Sequence, residues 1–198
     1  MRVGKSVRQV SGAVAVAGLP ALGLVALAQA QAPTPLKIGI TEGFSGVYAD
    51  LNLGEVEAAQ MAIDDFGGKV LGKPISIIVG DHQLKPDIGG AIARRWYDVD
   101  QVDLIVDVPV SAVGLAVQNI ANDKKKLFIT HSTLAADFHG KFCTPYAMQW
   151  VIDTRSLAAG TAQAVVKRGG DSWFFITDDY AFGHSLERDA SSVVTANG

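Results

Sequence analysis

Apolar residues recur along the chain in two alternating rhythms. Leu36-Lys37-Ile38-Gly39-Ile40-Thr41 sets apolar side chains at every second position, the period of a strand. A Gly- and Ser-containing loop over 42–54 follows. Residues 55–66 then place Val56, Ala59, Ala62, Ile63 and Phe66 at helical spacing, and Gly67-Gly68 supplies the stop. The same beat returns with a β-branched strand over 74–81 and a helix over 86–98 that carries Ile88, Ile92 and Trp96 on one face. The run 103–108 is almost continuously apolar, as for a strand covered on both sides. Ser111 stands at the N-cap of a helix over 113–122, and 126–130 is a further strand. An extended piece over 146–153, a helix over 156–167 ended by Gly169-Gly170, a buried strand over 172–177 and a helix over 183–196 complete the series.

Strands alternating with helices of this length predict parallel β-α-β units, hence an α/β fold with a doubly wound parallel sheet and helices on both faces. Ligands of such sheets sit beyond the carboxyl ends of the strands. That rule singles out residues 41–50, 81–83, 109–112, 131–134 and 178–183.

The loop 43–50 offers the rings of Phe44 and Tyr48, the Ser45 hydroxyl and glycines that expose backbone N–H groups. It is not a G-x-S-x-G nucleophile elbow, because Val47 stands where the last glycine belongs. Ser111 and Ala112, at a helix start, supply a hydroxyl and free N–H groups suited to a carboxylate or phosphate. Ser132 and Thr133 double the hydroxyl supply. Asp179, Tyr180 and Phe182 add an acid and two aromatic rings. His131 has no nucleophile or orienting carboxylate at a telling spacing, which makes it a surface or hydrogen-bonding group. His82, His139 and His184 lack the i, i+4 pairing or Cys neighbours of a zinc site, so no metal is implied. Neither a G-x-G-x-x-G nor a G-x-x-x-x-G-K-[ST] cradle is present, and no cofactor is implied.

Composition narrows the class. Of 198 residues 48% are hydrophobic and 19% charged, too apolar for a disordered chain. A formal charge of −3 without basic clusters argues against nucleic acid as a partner. One cysteine excludes an internal disulfide, and Cys143 reads as a small buried hydrophobe. Residues 1–30 form a separate case. Arg2, Lys5 and Arg8 precede an apolar run over 12–27, and Ala28-Gln29-Ala30 closes it, the pattern of a signal peptide cleaved after Ala30. The run is short for a membrane span of about 20 residues. Without the leader's three basic residues, 14 of the 17 remain against 20 acidic ones, a formal charge of −6.

In order, Phe44-Ser45-Gly46-Val47-Tyr48-Ala49-Asp50, the helix ending in Gly67-Gly68, Gly72-Lys73-Pro74-Ile75, the strand ending in Asp81, and Asp179-Tyr180-Ala181-Phe182-Gly183 resemble the leucine/isoleucine/valine-binding (type I) periplasmic proteins of ABC importers. The resemblance implies a two-lobed clamshell without catalysis, residues 31–152 being the first lobe and 153–198 the start of an incomplete second. It implies a periplasmic protein that delivers a small carboxylate-bearing ligand to a membrane permease. Branched-chain amino acids, amides and aromatic acids are the candidate class. Ser111, Ala112, Ser132 and Thr133 would hold the carboxylate, and Tyr180 or Phe182 would close over it. Two other readings stay open: an exported α/β hydrolase built on Ser45 or Ser111, and a receptor's ligand-binding sensory domain. The family's fold needs about twice the mature length, so this chain by itself is expected to bind weakly or not at all.

Overall fold

The computed structural model describes residues 33–197, and the expected leader lies outside them. Among the described residues no helix is long and apolar enough to cross a membrane. The strands are β1 (Leu36–Glu42), β2 (Lys69–Val70), β3 (Lys73–Asp81), β4 (Leu104–Val106), β5 (Leu127–Thr130) and β6 (Ala147–Gln149). The helices are α1 (Ala49–Asp65), α2 (Pro86–Asp98), α3 (Ser111–Lys124), α4 (Thr154–Lys167) and α5 (Ala181–Asn197), with a 3-10 turn at Ala136–Phe138. One sheet runs β2-β3-β1-β4-β5-β6, parallel throughout except for the β2–β3 pair. The chain steps from β1 to β3 on one side and then crosses to β4 on the other, which makes the carboxyl end of β1 the switch point.

Two helices seal one face of the sheet. Trp96 of α2 lies flat on β1 and β3 because Gly39 and Gly80 carry no side chain there. A Cβ at Gly39 would stand 2.5 Å from the Trp96 ring. Ile105 and Phe128 sit beneath α2 and α3, packed with Val113, Val117 and Ile120 in the main core. The opposite face carries Ile38, Ile40, Ile75, Ile77 and Val106. It meets Ala59, Ala62 and Ile63 of α1, and Phe66 at its C-cap, around a groove of about 330 Å³. Farther along that face, where α1 does not reach, Val79, Leu127 and Met148 are 44%, 54% and 49% exposed.

Most elements fall where the hydrophobic pattern puts them, and the departures have local causes. Helix α1 begins at Ala49, six residues before the expected start, because Ala49 and Leu51 N–H groups already bond back to Gly46 and Tyr48 carbonyls. Gly54 is tolerated inside it at a cost of about 1 kcal/mol. The short β2 went unpredicted. It closes onto β3 through Leu71 and Gly72, both at positive φ, the geometry of a two-residue I′ hairpin turn. Ser111 is not a cap but the first residue of α3. Val110 holds the cap position with extended backbone and no capping side chain. Cys143 is exposed rather than buried, because it lies in a turn whose N–H bonds to the Gly140 carbonyl at 3.2 Å.

The stretch 172–177 is the main correction. It is extended but unpaired among the described residues, with Phe174 89% and Ile176 94% exposed. The alternation that suggested a strand is present, yet without a neighbouring strand only one side finds cover. Trp173 and Phe175 lie against α4 and α5 around a groove of about 370 Å³. Those two helices are tied by buried polar contacts from Thr154 Oγ1 to Ser185 Oγ (2.9 Å) and Asp189 Oδ2 (2.7 Å). Asp153 caps α4, accepting from the Ser156 N–H and hydroxyl, each at 2.8 Å.

Candidate functional site

Parallel register brings the carboxyl ends of β1, β3, β4 and β5 to one rim. Glu42 ends β1 opposite Asp81 at the end of β3. Asp107 follows β4 with a left-handed φ of 60°, its N–H donating to the Ile129 carbonyl at 2.8 Å. His131 follows β5.

At the centre of this rim is a knot of acids. His131 Nε2 stands 3.4 Å from Glu55 Oε2 of α1 and 3.3 Å from Asp107 Oδ2. One ligating atom from each of the three residues lies within 4.8 Å of the other two. Asp107 is buried, and its Oδ1 accepts the Ser132 hydroxyl. Glu42 is wholly buried within hydrogen-bonding reach of Asp107, and neither of its carboxylate oxygens has a donor. Burial first, then the negative charge of Asp107, pushes the Glu42 carboxyl up to about 10. Burial and Asp107 likewise raise Glu55 to about 7, against the opposing pull of His131. His82, also buried, is driven down to about 4 by desolvation despite Asp81 and Asp107. Its Nδ1 accepts the Leu84 N–H at 3.0 Å.

The residues singled out from sequence are distributed around this knot. Ser45 donates to Asp81 Oδ2 at 2.9 Å. The Tyr48 and Tyr180 hydroxyls meet at 3.3 Å, joining segments 132 positions apart. Burial, with Tyr48 beside it, raises the Tyr180 phenol above its ordinary value. Ser111 Oγ is buried and accepts the Ala135 N–H at 3.3 Å, which leaves its proton free to donate. Thr133 is turned inward to Thr130 Oγ1 at 2.7 Å. Ala112 is half-buried on the first turn of α3, whose leading N–H groups have no side-chain cap. Phe44 is half-buried in the β1 loop. Phe182 packs 6.0 Å from the Tyr180 ring and lines the groove between α4 and α5. Asp179 is exposed and pairs with His184 at 3.1 Å.

Sequence spacing left His131 without a carboxylate, whereas the fold gives it two. Glu42, Glu55 and Asp107 went unnoticed as site residues. Asp107 does carry a signal, a lone charge inside the apolar run Leu104-Ile105-Val106-Asp107-Val108. Glu55 carries none, since it reads as an ordinary solvated helix residue. The hydrolase reading loses its base: Ser45 bonds a carboxylate and Ser111 an amide, while His131 faces acids.

Several solved proteins share this architecture. A periplasmic binding protein from Burkholderia mallei is 47% identical, covering 83% of this chain and 44% of its own, with a TM-score of 0.80. A branched chain amino acid ABC transporter periplasmic ligand-binding protein from Burkholderia xenovorans is 36% identical over 82% and 44% of the two chains, TM-score 0.71. An ABC transporter solute binding protein from Rhodopseudomonas palustris, in complex with 3,4-dihydroxy benzoic acid, shares the fold at 22% identity, 83% and 45% coverage and TM-score 0.75. The chain thus spans less than half the length of these relatives. No curated protein sequence matches it. The neighbours are binding proteins of transporters and not enzymes. Residues 35–198 match the family described as Periplasmic binding protein, and the chain belongs to that family, in its type I fold.

Proposed function

We propose that the chain is part of the periplasmic solute-binding component of an ABC importer, delivered by cleavage after Ala30, with residues 31–152 in the first lobe and 153–198 opening the second. Its solute is a small carboxylate-bearing molecule, drawn from the branched-chain amino acids, amides or aromatic acids, and its partner is a membrane permease.

The observation that carries this reading is the start of α3. Val110 offers no side-chain cap, so the N–H groups of Ser111, Ala112 and Val113 are available at the positive end of the helix dipole. This helix opens from the same strand end that carries Asp107, with the Ser132 hydroxyl alongside. The Tyr48–Tyr180 contact adds two rings that suit a flat or branched apolar body. The aromatic acid bound by the R. palustris protein and the description of the B. xenovorans one support both ends of the class.

A thermal-shift and calorimetric screen of the full-length protein against branched-chain amino acids, their amides, short-chain diacids and aromatic acids tests it. One class is expected to raise the melting temperature saturably, and Tyr48→Ala to weaken binding by about tenfold, roughly 1.4 kcal/mol. No saturable response from any class would sink the reading.

A further inference from the structure

A carboxylate ligand leaves one part of the rim unexplained. Two acids, Glu55 and Asp107, converge on His131 there with the buried Glu42 behind them, and negative charge at the same strand ends opposes an arriving anion. We propose that Glu55, Asp107 and His131 bind a divalent transition-metal ion, with the buried Glu42 directly behind Asp107.

Three observations carry the assignment. First, the spacing is that of metal ligands. Two bonds of about 2.0–2.1 Å at a tetrahedral angle set donor atoms about 3.3–3.4 Å apart, and His131 Nε2 lies 3.3 Å from Asp107 and 3.4 Å from Glu55. Those separations are long for direct N–H···O bonds, which run about 2.7–3.2 Å. Second, Glu42 is wholly buried, has no hydrogen-bond donor on either oxygen and faces Asp107. Buried carboxylates left this way are expected to find a proton or a cation. Third, Asp107 is oriented as a ligand would be. Its Oδ1 is held by the Ser132 hydroxyl, while the buried Oδ2 has no donor of its own and points to His131.

One imidazole with two carboxylates suits zinc, manganese or iron(II) rather than calcium, which takes six to eight oxygens. Bound there, the ion would also turn an acid-lined rim into one that accepts a carboxylate. The assignment rests on side-chain geometry and not on the solute's identity, since the ion is titrated with no organic ligand present.

The test is calorimetric titration of the chelator-stripped full-length protein, without its leader, with zinc alone, backed by the visible spectrum of cobalt(II). One ion per chain is expected, at micromolar affinity or tighter. Binding should weaken at least tenfold in His131→Ala and in Glu55→Gln, two partly exposed positions that tolerate substitution. Glu42→Gln should weaken it less, and Cys143→Ser and His184→Ala should leave it unchanged. No ion bound by the parent chain, equal affinity in His131→Ala and Glu55→Gln, or loss of the ion in His184→Ala would each overturn the assignment.

Discussion

The two faces of the sheet bury the same kinds of residue to different extents. Under α2 and α3, Ile105 and Phe128 are wholly buried, and the sheet gives up side chains at Gly39 and Gly80 so that Trp96 can lie on the strands. On the other face Ile40 is buried under α1, but Val79, Leu127 and Met148 remain about half exposed, and Leu51 and Met61 of α1 and Phe66 just after it lie largely in water. Apolar content is therefore a poor guide to where stability resides. What distinguishes the faces is interdigitation: dispersion and transfer terms accrue only where partner atoms close the space.

The sharpest test of that contrast is truncation on each side. Phe128→Ala is expected to cost about 3–5 kcal/mol and Ile77→Ala only about 1–2, the difference reflecting how much of each side chain is already in contact with water. Urea denaturation followed by circular dichroism measures both, and equal losses would erase the distinction between the faces.

Glycine substitution inverts the sign. Gly39→Ala forces a Cβ to 2.5 Å from Trp96 and should cost about 1–3 kcal/mol. Gly54→Ala, in the exposed interior of α1 with nothing within 4 Å, should stabilise by about 0.5–1 kcal/mol. Melting temperatures moving in opposite directions are the expected readout.

The helices beyond the sheet have their own local anchor. Burial works to raise the Asp153 carboxyl, but the two Ser156 hydrogen bonds outweigh it and hold the group below its ordinary value of 3.8. A depressed carboxyl stabilises the fold above the unfolded value and loses that contribution as the pH falls through the folded one. Asp153→Ala should cost about 1 kcal/mol at neutral pH, and the gap from the parent chain should close on acidification below 3.8 in thermal melts. Smallest of all is the effect of placing charge on the exposed side of α1. Met61→Lys should change stability by no more than about 0.5 kcal/mol, and a larger loss would show α1 to be packed more tightly than its exposure indicates.

The parallel sheet was legible from period and order, because a strand such as Leu36-Lys37-Ile38-Gly39-Ile40 and a helix such as Pro86–Asp98 declare themselves locally, whereas the strand order that puts the switch point at β1 was not. The ends were less so. The early start of α1 depends on two backbone bonds to Gly46 and Tyr48 that no residue type marks. In the site, strand-end position alone pointed to Ser45, Tyr48, Ser111 and Ser132, since topology places such residues on the rim whatever their type. The Glu42–Asp107–Glu55–His131 knot was not legible. Its members come from two strand ends, a helix and a loop, and only the register of β1 and β4 and the docking of α1 bring them together.

The stretch 172–177, unpaired among the described residues, carries its own protection against self-association. Ser172-Trp173-Phe174-Phe175-Ile176-Thr177 is extended and aromatic, holds no charge, and presents backbone donors and acceptors without a ladder. Such a segment is a template for edge-to-edge addition of another chain. Asp171 on one side and Asp178-Asp179 on the other then act as gatekeepers, since each strand added in register would stack like charges at both ends. Asp171→Asn with Asp178→Asn is therefore expected to increase light scattering of concentrated solutions relative to the parent chain, and no increase would remove the gatekeeper role.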